Sequence, residues 1–419
     1  MNRWDELTRR TLDEIERCEP VYRPTTFWGP GVRSILDDVR SRPLAEFKSW
    51  PSARTWFYPT YGNGMTPREI NAAFETARRS RPELQRTWVR AALGGLLQAR
   101  RDYDVARLAW DQARWPFDLE GIGESQFGAP PQPFELATGS KAVFTRPYLN
   151  YLLCLAALSR HVDAPPRRFL ELGGGFGVLG EIVMSRDPDA TYTDLDMPPL
   201  LTVASSYLDM LFADRVATYE TLPEAGPLWV DGSACLPNWR IRDLRGPFDV
   251  FVNSFSFQEM EPEVVERYAT DVAALEPTWV VSLNSRAGKP VRDATRPIGV
   301  LSPVTSRMIV ELFEARGYEC IATYADPLLR HQGELAILHR SVARSDGGDV
   351  GERVEVRDRG DAPRDVVDLR RGVDAPSPEE RRDARRAARR ATRGSPRTKA
   401  RGLRGRVIRG WRAVRRRLR

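Results

Sequence analysis

Cysteine is scarce in this chain, and it is not arranged for chemistry. Four cysteines, Cys18, Cys154, Cys235 and Cys320, are scattered through 419 residues with no C-x-x-C pair. That spacing excludes a zinc ribbon and a disulfide framework, and it predicts buried free thiols in a reducing cytoplasm. Histidine is scarcer still: His161, His331 and His339. There is no H-x-x-H and no carboxylate cluster at ligand spacing, so the sequence offers no metal site. Long apolar runs are missing. The longest, Tyr148–Leu158, is too short to span a bilayer and reads as a core helix. The N-terminus, MNRWDELTRRTLDEIERC, is charged throughout, which excludes a signal peptide. Internal repeats are absent, and lysine is greatly outnumbered by arginine, a bias expected of a GC-rich genome.

What is present is enough for two or three domains: 41% hydrophobic and 29% charged residues. The charge is unevenly placed. From Arg381 onward there are 18 basic residues and one acid, Asp383, a net of +17. The whole chain carries +7, so residues 1–380 carry −10. An acidic body therefore bears a basic tail.

The most informative stretch is RFLELGGGFGVLGEIV, residues 168–183. A short apolar run leads into Gly173, Gly174, Gly175 and Gly177, and a helical pattern follows. This is strand, tight turn, helix, the opening of a βαβ unit. Glycines let such a turn take positive φ and let a ligand approach the backbone. The helix N-terminus attracts anionic groups. Gly175-x-Gly177-x-x-Gly180 spells the dinucleotide fingerprint, alone a weak signal. Glu171-x-Gly173-x-Gly175-x-Gly177 spells the longer E/D-x-G-x-G-x-G pattern of class I S-adenosylmethionine (SAM)-dependent methyltransferases. The acid separates the two. A carboxylate repels a pyrophosphate and attracts a sulfonium bearing an α-ammonium group, so SAM is the expected cofactor. A tight turn without a ligand is the remaining alternative.

The βαβ rhythm predicts strands at Phe169–Leu172 and Thr191–Leu195, with a third at Val216–Tyr219 or Leu228–Val230. Others follow at Phe248–Val252 and Thr278–Leu283, and Cys320–Tyr324 and Glu334–His339 form a closing hairpin. Residues 1–140 read as a helical N-terminal domain with Pro- and aromatic-rich loops, more core than sugar platform. Residues 141–340 read as the catalytic domain. Residues 341–400 read as a disordered linker, basic toward its end, and 401–419 as a basic amphipathic helix. There Leu403, Val407, Trp411, Val414 and Leu418 form one apolar face among arginines. That pattern suits an anionic membrane surface. A nucleic-acid partner fits less well, because the stripe is regular and the body acidic. The expected location is cytoplasmic, with a peripheral hold on the inner face of the cell membrane.

Asp196 ends the second strand 19 residues past Gly177, where a carboxylate can accept hydrogen bonds from both ribose hydroxyls. Asp194 is its rival. At this point the chain resembles a family of sugar O-methyltransferases. E-L-G-G-G-F-G, D-M-P-P-L-L-T-V-A-S-S-Y-L (Asp196–Leu208) and N-S-F-S-F-Q-E-M (Asn253–Met260) carry the resemblance over residues 120–340. The family's members are class I SAM-dependent enzymes of bacterial polysaccharide and glycan gene clusters. The resemblance implies a Rossmann-like α/β sheet and methylation of a sugar hydroxyl on a glycan, glycolipid or nucleotide-sugar precursor. Methylation of another small molecule or of RNA is the runner-up, and a non-catalytic, membrane-peripheral binding protein on the same scaffold is the third reading.

Further site residues are expected at strand ends. Asp231, in W-V-D-G-S-A, matches the acid that class I enzymes place against the adenine amino group. Asn253 either touches the cofactor or shapes its turn. Glu259, between apolar neighbours, has the setting of a raised-pKa general base for a hydroxyl, or is simply a helix N-terminal acid. His331, on the loop after Tyr324, is the competing base. Arg286 is the expected substrate-binding cation.

Overall fold

The computed structural model describes residues 2–62, 65, 67–113, 121–223, 225–325 and 333–341. Expectations for His331, for the linker beyond 341 and for the amphipathic stripe lie outside these residues.

Eight strands form one sheet: β1 (Arg168–Leu172), β2 (Thr191–Asp196), β3 (Val216–Thr218), β4 (Ser233–Pro237), β5 (Val250–Ser254), β6 (Trp279–Ser285), β7 (Tyr318–Ala325) and β8 (Gly333–Arg340). Their spatial order is β7-β8-β6-β5-β1-β2-β4-β3. Strands β3 to β6 run parallel in this order, while β8 is antiparallel to both β6 and β7. The chain lays strands outward from β1 to one side, then returns to β5 and builds the other side. The point of reversal lies between β1 and β5, and in open α/β sheets ligands bind at the carboxyl ends of the strands there. The fold is Rossmann-like α/β.

Burial along the strands alternates between two faces, as a sheet covered on both sides requires. Phe169, Val250, Val252, Val281, Leu283 and Ile337 enter one core, while Leu170, Leu172, Phe251, Val280, Ala336 and Leu338 enter the other. The first core is completed by residues of α7 (Arg146–Leu158), α8 (Val178–Arg186) and α9 (Leu200–Phe212). The second is completed by α10 (Pro262–Ala274) and α11 (Ser306–Glu314).

The N-terminal part is helical, as its periodicity predicts. It contains α1 (Arg3–Ile15), α2 (Trp28–Ser41), α3 (Ala53–Trp56), α4 (Pro67–Arg78), α5 (Arg86–Leu93) and α6 (Leu96–Asp111). It shares the first core with the sheet rather than building one of its own: Phe27, Trp28, Phe47, Trp50 and Phe57 sit in the same cluster as Phe176 and Tyr207. A buried ion pair within the N-terminal part reaches the sheet side through a hydrogen bond from its lysine to Tyr207. Lys48 Nζ lies 2.6 Å from Glu124 Oε1 with neither side chain exposed. It also donates to the Ser125 carbonyl and the Tyr207 hydroxyl.

One strand expectation needs correction. The third strand in chain order is Val216–Thr218, the first of the two expected alternatives, but a strand that was not expected, Ser233–Pro237, lies between it and β2. Leu228–Trp229 pairs only with Leu244–Arg245. The sequence S-A-C-L-P shows no alternation because all five residues are buried, on both faces.

Candidate active site

Glycine geometry sets the site. Gly173, at φ +75°, carries the chain out of β1. Its N–H still donates to Leu195 O on β2 at 2.8 Å. A Cβ there would overlap the Ser256 hydroxyl, so the turn from β1 and the loop from β5 close on each other only with glycine. At Gly174 a Cβ would stand 2.5 Å from Asp194 Oδ1 and from the Tyr192 hydroxyl. Beyond the turn, the chain enters α8 with Gly177 packed on Leu208.

Above this turn lies a cavity of about 520 Å³. Its base is Gly173, Gly174, Gly175, Phe176 and Asp196; Ser254, Phe255, Ser256, Gln258 and Glu259 form one wall. Arg146, Asn150 and Tyr151 of α7 contribute another side. The N-terminal helices supply Trp28, Arg54, Trp56 and Phe57, and the loop after β6 supplies Lys289. The indoles of Trp28 and Trp56 stand 5.7 Å apart at 38°.

Asp196 opens on the cavity where expected. Its Oδ2 accepts from Gly175 N at 2.8 Å and its Oδ1 from Met197 N at 2.7 Å. Burial pushes its pKa up to about 7, against those two hydrogen bonds, and the charge of Glu259 adds to the rise. Its rival Asp194 is fully buried beneath Gly174, outside the cavity lining.

Glu171 is sealed rather than presented. It is fully buried, accepts from the Tyr151 hydroxyl at 2.5 Å and the Tyr192 hydroxyl at 2.6 Å, and is absent from the cavity lining. Burial raises its pKa to about 7, against the pull of the two tyrosines. The expected direct contact with a ligand ammonium is therefore not available to it. Its visible work is to hold the turn from below.

Asn253 shapes the turn and does not line the cavity. Its amide donates to Leu172 O at 3.1 Å, and its Oδ1 accepts from Phe257 N at 3.1 Å and from Asn284 Nδ2 at 3.0 Å. Gln258 Oε1 similarly accepts from Ser285 N at 2.7 Å. The polar residues of N-S-F-S-F-Q-E-M thus fasten the ends of β5 and β6 together, which places Glu259.

Glu259 faces the cavity, and its Oε1 lies 2.7 Å from Lys289 Nζ. Burial raises its pKa above the usual glutamate value, opposed mainly by Lys289 and to a smaller degree by a Trp28 hydrogen bond. Lys289 Nζ also sits 4.8 Å from the centre of the Phe27 ring.

Two expected site residues are elsewhere. Asp231 is exposed and precedes β4, whereas the cavity lies at the carboxyl ends of the strands. In parallel register Asp196 is opposite Pro237, six residues beyond Asp231, roughly 20 Å along the strand. The reason is that Leu228–Trp229, which Asp231 follows, pairs outside the main sheet, so that Asp231 comes before the sheet strand Ser233–Pro237 and not after one. Arg286 pairs with Glu334 of β8 at 3.4 Å and is absent from the cavity lining; from the same loop Lys289 enters the lining instead. His161 bonds the Tyr324 hydroxyl at 2.7 Å and His339 packs on Trp279, both structural roles. All four cysteines are free. Among the described residues no group of His, Cys, Asp or Glu could hold a metal ion, and no helix is long and apolar enough to cross a membrane.

Neither the protein-family models nor the curated proteins give a match. Solved structures with a partial likeness include the pyocyanin biosynthetic protein PhzM, at 16% identity over 46% of this chain and 57% of that one, TM-score 0.33. The chain thus spans a little over half of PhzM. Magnesium protoporphyrin IX methyltransferase ChlM from Synechocystis PCC 6803 with bound SAM matches at 12% identity over 47% and 80%, TM-score 0.35. The mitomycin 7-O-methyltransferase MmcR matches at 13% over 81% and 76%, TM-score 0.33.

Sequence reasoning missed the tyrosine clamp on Glu171 and the cavity roles of Trp28, Trp56, Arg146 and Asn150. Only N-S-F-S-F-Q-E-M, which ends at Met260, and the cations after β6 pointed toward the wall where Lys289 meets Glu259.

Proposed function

We propose that this chain is a SAM-dependent O-methyltransferase whose acceptor is a sugar hydroxyl. The observation that carries the proposal is a single cavity at the sheet's reversal point, onto which the glycine turn, Asp196 and Glu259 all converge. The residues present fit the cofactor. Gly173–Gly175 offer a close backbone approach, and Asp196 offers a carboxylate for ribose hydroxyls. When bound, SAM supplies an electrophilic methyl group on a sulfonium.

The remaining chemistry belongs to the chain. Glu259 takes the proton of the attacking hydroxyl, and its raised pKa brings it nearer to the operating pH, where a base is most effective. Lys289 orients Glu259 and keeps enough of it ionised. Trp28, Trp56 and Phe57 line the site and give the apolar face of a sugar ring flat surfaces to lie on. The sugar assignment draws on these indoles and on the sequence resemblance. The apolar stripe from Leu403 to Leu418, set among arginines, supports a proposed hold on an anionic bilayer, where lipid-linked glycans are assembled.

Calorimetric titration with SAM and with NAD, followed by methyl-transfer assays on a panel of nucleotide sugars and glycolipids, tests the proposal. SAM binding with transfer to a sugar is expected. Binding of NAD alone, or SAM binding with transfer only to non-sugar acceptors, overturns it.

A further inference from the structure

Two polar atoms in the cavity wall are buried without a hydrogen-bond partner. They are Arg146 Nε and Asn150 Oδ1, four residues apart on α7 and hence on one face of that helix. Both residues line the same cavity as Gly173–Gly175. Asn150 is 4% exposed. Burying such groups unpaired is unfavourable, and native structures do so where a ligand or water completes them. One atom is a donor on a permanent cation and the other an acceptor. Roughly 5–6 Å separates Cβ atoms at this spacing.

The rest of the helix end agrees. Arg146 opens the first turn of α7, where Thr145 makes no side-chain cap; its hydroxyl donates instead to Glu124. The open N-terminus of this 13-residue helix adds positive potential beside the guanidinium. Arg146 is held in place by donating from Nη1 to the Thr60 carbonyl at 3.2 Å, which leaves Nε directed elsewhere. The nearby carboxylate of Asp102 takes Arg101 at 2.5 Å through Oδ1; its Oδ2 is buried without a partner and lies outside the cavity lining. Tyr151, next to Asn150, reaches under the turn to Glu171, so this face of α7 is anchored to the glycine turn itself.

We infer that Arg146 and Asn150 form the subsite for an α-amino-acid group. Arg146 Nε donates to its carboxylate, and Asn150 Oδ1 accepts from its ammonium. The inference rests on the proposed SAM reading and completes it. The carboxylate expected to meet the ammonium, Glu171, is sealed off, while Asn150, a residue of the cavity lining, holds an acceptor without a partner. Asp196 serves the ribose end and α7 the amino-acid end.

The test uses the full-length protein and two ligands that differ at that end. S-adenosylhomocysteine carries the amino-acid group; 5′-methylthioadenosine lacks it. In calorimetric titrations, Arg146→Met and Asn150→Ala should each weaken S-adenosylhomocysteine binding by about 10- to 100-fold. Both should leave 5′-methylthioadenosine binding within about twofold. Arg146→Lys should recover part of the loss. Asp196→Ala, by contrast, should weaken both ligands. Retained binding of 5′-methylthioadenosine shows that each variant is folded. If the α7 variants weaken both ligands equally, or neither, the subsite is wrong while the SAM reading stands. If the unaltered protein binds neither ligand, the SAM reading falls and the subsite falls with it.

Discussion

Replacing Lys48 with methionine removes a cation from a buried acidic network and leaves its shape nearly intact. Lys48 Nζ meets Glu124 at 2.6 Å, with both side chains fully buried. Glu181 is close by: it accepts from the Tyr207 hydroxyl at 2.7 Å, the same hydroxyl that accepts from Lys48. Burial and the charge of Glu124 already raise Glu181 to about 7, and Lys48 opposes that rise. Without the lysine, the protein can avoid two uncompensated buried charges by binding one more proton. Starting from the ordinary glutamate value of 4.5, that proton costs about 1.4 kcal/mol per pH unit. The loss is therefore about 3.4 kcal/mol at pH 7, in the range seen when a buried pair is broken, and about 1.4 kcal/mol at pH 5.5. The sign is fixed by proton counting. An acid raised above its unfolded value binds more protons in the folded state, so stability falls as pH climbs from 4.5 toward and past 7. Urea unfolding of Lys48→Met and of the unaltered protein at both pH values measures the difference. Lys48→Met with Glu124→Gln should recover most of it, since neither charge remains. A loss under about 1 kcal/mol at pH 7, or one that does not change with pH, would refute the reasoning.

Other outcomes follow from the cavity and the tail. Asp196→Ala should weaken SAM binding by about 1–3 kcal/mol, read by calorimetry, because buried donors lose their acceptor. Glu259→Gln should leave SAM affinity nearly unchanged and cut turnover by about 10²–10⁴. Lys289→Met should move the acidic limb of the turnover–pH profile to higher pH, since Lys289 holds down the pKa that burial raises; an unmoved limb removes Glu259 from the role of base. Deleting residues 381–419 should abolish binding to anionic vesicles and spare SAM binding. Trp411→Ser with Leu418→Ser should weaken vesicle binding without a charge change; if binding instead follows arginine count and salt alone, the tail is a polyanion clamp.

The sequence alone was sufficient for the α/β rhythm, the glycine turn and the place of Asp196 beside it, because each rests on local rules. Positive φ in a tight turn demands glycine, apolar runs between breakers mark buried strands, and a carboxylate at the end of β2 cannot be far from a turn at the end of β1. The functional assignment of N-S-F-S-F-Q-E-M was only half legible. Its likeness singled out Asn253 and Glu259 together, but contacts with Asn284 and Leu172 made the first a brace, and Lys289 drew the second into the cavity.

Only the tertiary structure decided the rest. S-A-C-L-P became the strand beside β2 because two faces of neighbours bury it, a fact absent from its own pattern, and this put Asp231 at the wrong end of the sheet. Arg286 and Lys289 are three residues apart on one loop; which cation enters the cavity depended on Glu334 and Glu259, from distant parts of the chain. Trp28 and Trp56 came to line the cavity when helices more than a hundred residues before the glycine turn packed beside it, and Arg146 and Asn150 did so from the helix just before β1. Long-range contacts of this kind are chosen by which surfaces can be buried together, and no local window of residues contains that choice.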